Sequence, residues 1–320
     1  MIVARTIAEA RVALRELPRP LGLVPTMGAL HAGHLSLVDA ARARCASVVA
    51  SVFVNPTQFG HGEDFSTYPR DEVRDLRLLE EAQVAVVFAP EADEMYPAGF
   101  ATLVHVGGAL TENLEGASRP SHFDGVTVIV AKLLGVTQPD VLFLGEKDAQ
   151  QLAVVRRFVR DLDLPVEVAG VPTLREPDGL AMSSRNVRLT PQQRAVAPEL
   201  YGALLAGAAA AEAPGASADD VVVAVASALL PADPALAEGA AVGPGGRDPA
   251  GPRFELDYLA VVDADSFVQT EELGPRSVLV VAARLGSTRL IDNLPLAVPA
   301  AGEPLTTSSS SAYPAKDATT

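Results

Sequence analysis

Pro25-Thr26-Met27-Gly28-Ala29-Leu30-His31-Ala32-Gly33-His34 sets two histidines and two glycines between an apolar run at residues 21–24 and a helical pattern. The run reads as a buried strand, and Leu35, Val38, Ala41 and Cys45 then recur at helical spacing. Strand, glycine-bearing turn and helix form the unit with which a parallel α/β sheet presents a helix N-terminus to a ligand. Unpaired N–H groups and the helix dipole favour phosphate there. Glycine admits close backbone approach, and imidazoles can donate to phosphoryl oxygens. Two histidines three apart also suit a solvated surface pair or half of a zinc site. Zinc would need further ligands, and His61, His105, His122 and Cys45 fall at no metal-site spacing.

Outward from this stretch, Thr6 with Glu9 forms a capping box that starts a helix over residues 7–16. Residues 48–54 read as a buried strand, 71–82 as a helix and 84–88 as a strand. Residues 127–134 are a buried helix or strand; Pro139 and a further strand at 141–144 favour helix. A helix at 149–159 and a strand at 166–171 follow. Strands alternating with helices predict a parallel sheet, whose ligands bind outside the carboxyl ends of the strands. After Thr173 the character changes. Thr190-Pro191-Gln192-Gln193 is a helix start with Pro at the first position. Ser217 caps a helix through about residue 230, and 254–262 and 277–283 look like strands of a small sheet. This half is expected to be a second, smaller α+β domain. Residues 231–253, rich in Ala, Gly and Pro, read as an insertion loop, and 299–320 as a disordered tail.

The chain has 320 residues, enough for two domains. Its 25 basic and 40 acidic side chains leave a net charge of −15. That argues against nucleic acid or an anionic membrane as partner, because affinity for phosphate backbones comes mainly from Lys and Arg. One cysteine precludes an internal disulfide framework and suits a reducing cytosol. The N-terminus lacks a signal-peptide pattern, and the longest apolar stretch, residues 126–136, contains Lys132 and is too short to span a bilayer. A cytoplasmic protein is expected.

Neither a P-loop nor a dinucleotide fingerprint occurs, so a phosphate at the opening motif needs cations from elsewhere. Leu144-Gly145-Glu146-Lys147-Asp148-Ala149-Gln150-Gln151 ends a predicted strand, with Lys147 as a point charge and Asp148 as an acceptor for ribose hydroxyls. Most turns of this kind simply carry solvated charges. Gly179-Leu180-Ala181-Met182-Ser183-Ser184-Arg185-Asn186 suits a mobile phosphate clamp, or a surface loop with a structural Arg. Phe53-Val54-Asn55-Pro56-Thr57-Gln58-Phe59-Gly60 places neutral Asn55 and Gln58 at the ligand edge of the sheet, where they suit a small hydroxylated substrate. Turn capping is the alternative for Asn55.

With residues 119–125, 171–175 and 279–293 in the same order, these segments resemble the pantoate–β-alanine ligase family, nucleotidyltransferases marked by a His-x-Gly-His signature. The likeness runs from residue 1 to about Leu296, omitting most of 231–253 and the tail.

The resemblance implies a Rossmann-like parallel sheet with helices on both faces over residues 1–174, binding nucleotide and pantoate. It implies a smaller α+β lid domain over 175–298. It implies ATP-dependent condensation of D-pantoate with β-alanine through a pantoyl adenylate, releasing AMP and pyrophosphate, with Mg²⁺ on the phosphates and a homodimeric assembly. Carried over residue by residue, Met27, Gly28, Ala29, Leu30, His31, Ala32, Gly33 and His34 would hold ATP. His31, His34 and Lys147 would act in catalysis, with His34 the proton donor. Gly145, Glu146 and Asp148 would complete the second ATP segment. Leu174 would read adenine through its backbone, and Met182, Ser183, Ser184 and Arg185 would grip the phosphates. Gln58 and Gln151 would bind pantoate, Gln58 and Asn55 would lie near β-alanine, and Asp75 is the candidate metal contact. Arg119 and His122 match family positions without an assigned chemistry. Thr57 stands where the family is often apolar. An adenylyltransferase for a phosphorylated acceptor is the rival, but it should bring basic residues where this chain has Gln58 and Gln151. A non-catalytic nucleotide sensor should have lost one of the motifs.

Overall fold

The computed structural model describes residues 1–60, 63–230 and 251–296. Its first half runs β1 (Ile2–Ala4), α1 (Ile7–Leu14), β2 (Leu21–Thr26), α2 (Ala32–Arg44), β3 (Ser47–Val52), α3 (Glu72–Glu81) and β4 (Val86–Phe88). The short helices α4 (Ala92–Met95), α5 (Ala109–Glu112) and α6 (Glu115–Ser118) precede α7 (His122–Thr137), β5 (Val141–Gly145), α8 (Ala149–Asp161) and β6 (Glu167–Val171). The six strands form one parallel sheet in the order β1-β4-β3-β2-β5-β6.

Buried side chains divide over its two faces. Ala10 of α1, Val126 and Leu133 of α7 and Phe158 of α8 pack on Leu23, Val49, Phe88 and Leu142. Val38 and Ala41 of α2 and Leu79 of α3 pack on Val24, Ala50, Val87 and Phe143. Helices thus cover both faces, and β-branched runs buried on both sides are what a central parallel strand requires. The chain winds outward from β2 in one direction through β3 and β4, then returns to lay β5 on the other side of β2. The switch point therefore lies between the carboxyl ends of β2 and β5, where the motifs at Met27 and Gly145 begin.

The second half runs α9 (Pro191–Val196), α10 (Glu199–Ala211), α11 (Ala218–Leu229), β7 (Phe254–Asp263), β8 (Ser277–Leu285) and β9 (Thr288–Pro295). The last three form an antiparallel sheet in sequence order. Leu279 and Val281 of β8 pack on Leu204, Val221 and Val225 of α10 and α11. Val278 and Val280, alternating with them, pack on Leu110, Leu114, Phe123 and Val154 of the first half. The strand period of two therefore sends one face to its own helices and the other to the parallel-sheet unit.

The predicted caps at Thr6, Thr190 and Ser217 form, each as a capping box. Thr6 and Glu9, Thr190 and Gln193, and Ser217 and Asp220 each exchange side-chain and backbone hydrogen bonds. Residues 127–134 are helical, inside the longer α7, which ends at Gln138 in a left-handed cap just before Pro139. The sequence reading omitted the one-turn helices α4, α5 and α6 together with β1, α10 and β9. β1 has only three residues, α10 is an alanine-rich helix, and the alternation in Thr288–Pro295 is broken by Asp292 and Asn293, which are buried for reasons given below. The insertion at 231–253, apart from residues 251–253, and the tail at 299–320 lie outside the described residues. No described helix is long and apolar enough to cross a membrane.

Candidate functional site

The turn after β2 is built by its own side chains. His31 is the N-cap of α2: its Nδ1 accepts from Gly33 N–H at 3.1 Å, while His31 N–H donates to Nδ1 of His34 at 3.3 Å. The rings lie 4.1 Å apart. A backbone N–H can only donate, so both Nδ1 atoms carry lone pairs and both neutral rings carry their proton on Nε2. Gly33 makes room for this arrangement, because a Cβ there would sit 2.9 Å from the His31 ring. Gly28 has φ +78°, and a Cβ there would meet Asp75 at 2.9 Å.

Asp75 braces the same turn from behind. Its two oxygens accept from Ala29 N–H and Leu30 N–H, both at 2.8 Å, and its side chain is 1% exposed. Asp75, expected as a metal contact, serves here as the brace of the turn, with one backbone N–H on each oxygen. Leu30 turns its side chain into the core, and its carbonyl accepts from Arg74 Nη1 at 2.8 Å.

Beside this turn lies a cavity of about 230 Å³ between the ends of β2, β3 and β5. Met27, His31, Gly33, His34, Asn55 and Gln58 line it from one side. Gly145, Lys147, Asp148, Gln151 and Leu174, with the segment Met182, Ser183, Ser184 and Arg185, line it from the other. It shares Lys147, Asp148, Ser183 and Arg185 with a wider cleft of about 580 Å³ toward β9. Four segments remote in sequence therefore converge. Gly28, Ala29, Leu30, Ala32 and Glu146 do not line either space with their side chains.

The second half supplies the clamp segment. Residues 174–182 fold back on themselves, with Met182 N–H donating to Leu174 O at 3.0 Å. Arg175 pins this hairpin by a bidentate pair to buried Asp292 at 2.6 and 3.0 Å, under the ring of Tyr201. Ser183 caps the following turn, and Tyr68 bonds Ser184 Oγ at 3.1 Å. Arg185 gives Nε and one Nη2 proton to Asp64, which also takes Arg188. Its Nη1 protons stay available to the cleft among the described residues. Asn293 reaches from β9 to donate to the carbonyls of Glu146 at 2.8 Å and Lys147 at 2.9 Å, holding the turn after β5. Tyr68 and Asp64 were not singled out in the sequence, and Asn293, the last residue of the 279–293 segment, was given no role there.

Asn55 lines the cavity yet has nothing left to give. Its Oδ1 accepts from Tyr96 Oη at 2.7 Å and Thr57 Oγ1 at 2.9 Å, and its Nδ2 donates to Gln58 Oε1 and Gly125 O. The β-alanine contact expected of Asn55 gives way to the alternative, a turn cap that orients Gln58. Gln58 lines the cavity with its Nε2 donating to Met27 Sδ at 2.9 Å, and Gln151 makes no side-chain hydrogen bond among the described residues.

Burial holds the His34 ring far below the ordinary imidazole range, at about 3, with His31 and Lys147 adding to the effect. Burial, then Lys147 and Arg74, hold His31 at about 4, and burial with Arg119 holds His122 at about 4. In the unfolded chain these rings would bind protons below about 6.5. The folded protein therefore loses stability as pH falls from 6.5 toward 4, by up to about 1.4 kcal/mol per pH unit each for His34 and His122. Carboxylates held low, such as Glu115 at about 2, enter only below about 4.5. Thermal melts from pH 7.5 to 5 should show Tm falling once pH passes 6.5; a flat Tm to pH 5 would contradict the buried neutral rings.

Among the described residues no group of three or more His, Cys, Asp or Glu could hold a metal ion. The zinc alternative for His31 and His34 thus lacks further ligands there.

The family model described as Pantoate-beta-alanine ligase matches residues 2–295. Pantothenate synthetases of Chloroflexus aggregans and Thermus thermophilus are each 50% identical to the chain, over 92% of it and 99% of theirs. The crystal structure of pantothenate synthetase from Thermus thermophilus superposes with a TM-score of 0.82 at 49% identity, over 92% of this chain and 99% of that one. The pantoate-beta-alanine ligase of Francisella tularensis, complexed with beta-gamma ATP and beta-alanine, superposes with a TM-score of 0.72 at 30% identity, over 93% and 99%.

Proposed function

The chain belongs to the pantoate–β-alanine ligase family, and from that premise we propose how its own residues run the reaction. The enzyme condenses pantoate with β-alanine to pantothenate, using ATP. A pantoate carboxylate oxygen attacks the α-phosphorus, and the bond to the β-phosphate breaks to release pyrophosphate. The β-alanine amine then attacks the acyl carbon of the adenylate, AMP leaves with the bonding pair, and the amine gives up a proton to water. A carboxylate acylates only once its oxygen belongs to a good leaving group, and the first step brings anions together. Donors placed in advance must therefore meet the growing charge.

The observation that carries this reading is the pair of neutral rings at the start of α2, each with Nε2–H free of its cap, beside Lys147 and across from Arg185. We assign His31 and His34 as hydrogen-bond donors to phosphate oxygens. For His34 this replaces proton donation by an imidazolium, because burial disfavours the charged ring. Lys147 bridges phosphate oxygens, Arg185 presents its free Nη1 edge to the terminal phosphates, and Ser183, Ser184 and Met182 close over them. Gly145 and Asp148 take the ribose, and Leu174 the adenine. Gln58 and Gln151 hold pantoate with neutral amides, which avoid burying a second charge. The division near residue 174 lets the clamp segment move with the second unit. A Mg²⁺ ion would come with the ATP phosphates, the way this ion is usually bound. The same reading carries a cytosolic homodimer, with twice the mass of the 33.2 kDa chain.

Pyrophosphate release from ATP should require pantoate alone, and AMP with pantothenate should appear only on adding β-alanine. Pyrophosphate release that depends on β-alanine would overturn the two-step order. Gln58→Leu should raise the pantoate KM and leave the ATP KM nearly unchanged, because it strands a substrate hydroxyl at a cost of about 1–3 kcal/mol. Equal weakening of both substrates would place Gln58 elsewhere.

A further inference from the structure

Arg119 and His122 match family positions in the sequence without a chemistry of their own, and both line the cavity. A guanidinium has five N–H donors, and those of Arg119 are all engaged. Nε donates to Glu63 Oε1 at 2.9 Å, and Nη2 donates to Glu63 Oε2 at 2.6 Å and to Gln58 O at 3.1 Å. Nη1 reaches Glu115 Oε1 at 3.2 Å and His122 Nε2 at 3.1 Å. Nothing remains on Arg119 for a substrate anion, in contrast to Arg185, which keeps its Nη1 edge.

His122 is fixed by the same logic. Its Nδ1 lies 2.8 Å from Gln58 O, and a carbonyl only accepts, so the proton is on Nδ1. Nε2 is then the acceptor for Arg119. One backbone carbonyl, that of Gln58, thus receives two donors from this pair. Asn55 fixes the side-chain end of the same residue. Glu115 extends the network: it also takes Arg289 at 2.8 Å and Tyr258 Oη at 3.2 Å. The antiparallel sheet is thereby tied to the turn that carries Gln58.

We propose that Arg119 and His122 are positioning residues that act on pantoate through the main-chain carbonyl of Gln58 and do not themselves touch substrate. The inference rests on the reading of Gln58 as a pantoate contact.

His122 gives the cleaner test, since an Arg119 variant leaves Glu63 and Glu115 without their partner. His122→Leu removes the Nδ1–H donor and should raise the pantoate KM about tenfold, with the ATP KM unchanged. His122→Asn places an amide N–H near the Nδ1 position and should restore most of the loss, which separates positioning from general destabilisation. In a Gln58→Ala background, His122→Leu should add little, because the residue it positions is gone. No rescue by Asn, equal loss for ATP and pantoate, or a full additive loss in the Gln58→Ala background overturns the inference. A Gln58→Ala variant with an unchanged pantoate KM instead overturns the placing of Gln58 itself, and the inference falls with it.

Discussion

Lys147→Ala slows adenylate formation by about 10²–10³-fold, the usual cost of removing one charge donor placed in advance for a transition state. The chain has only three lysines, Lys132, Lys147 and Lys316. Lys132 stacks on Tyr96 and Phe100. Lys147 is the cation that lines both the cavity and the cleft without an ion pair among the described residues. Its arginine neighbours cannot substitute. Arg119 has spent every donor, and Arg185 shares its charge with Asp64. A point charge on a flexible stem suits oxygens whose positions change as the bond to pyrophosphate breaks. The Lys147 side chain supports no helix cap or core contact, so Tm should stay near wild type. Pre-steady-state pyrophosphate release measures the effect, and a wild-type burst rate in the variant would remove Lys147 from the mechanism.

His34→Ala should cost the first half-reaction a similar factor of about 10²–10³, while added pantoyl adenylate still reacts with β-alanine. The variant loses two things together: the Nε2–H donor, and the Nδ1 acceptor that holds His31 N–H in the reciprocal cap. His34→Gln keeps an N–H near the Nε2 position and should retain more activity than His34→Asn, which keeps a group only near Nδ1. Because the ring is neutral in the free enzyme, activity at pH 6–8 should show no loss from deprotonation of an imidazolium at this position. Equal damage to both half-reactions would move His34 away from the phosphates, and Asn exceeding Gln would make the cap, not the donor, the part that matters.

Local signals were enough for most of the first sheet, all but the three-residue edge strand β1, and for two helix starts in the second half. The capping boxes at Thr6, Thr190 and Ser217, the buried runs of β2, β3 and β5, and the glycine-bearing turn at Met27–His34 are each contained within a dozen residues. From these the alternation of strand and helix follows, and with it the parallel sheet and the side on which a ligand sits. The motif segments carried the family, because their residue types in that order are specific. Their physical roles were less legible. Nothing local tells that His31 and His34 cap each other, since a proton's place on a ring depends on which backbone N–H faces it.

Other assignments depended on partners far along the chain. Asp75 reads in the sequence only as a candidate metal ligand, and its bracing of Ala29 and Leu30, about 45 residues away, shows only in the fold. Asn55 reads as a ligand until Tyr96 and Gly125 use up its amide. Asn293 and Asp292 interrupt the apolar pattern of β9 because they serve Lys147 and Arg175, more than a hundred residues earlier. The sequence by itself determined most of the helices and strands that flank the site and which residue types gather at the strand ends, because helix caps, strand alternation and glycine turns are short-range. Only the tertiary structure decided which of those side chains keep a free donor for substrate, because a polar group's chemistry is set by the partners that folding brings within about 3 Å.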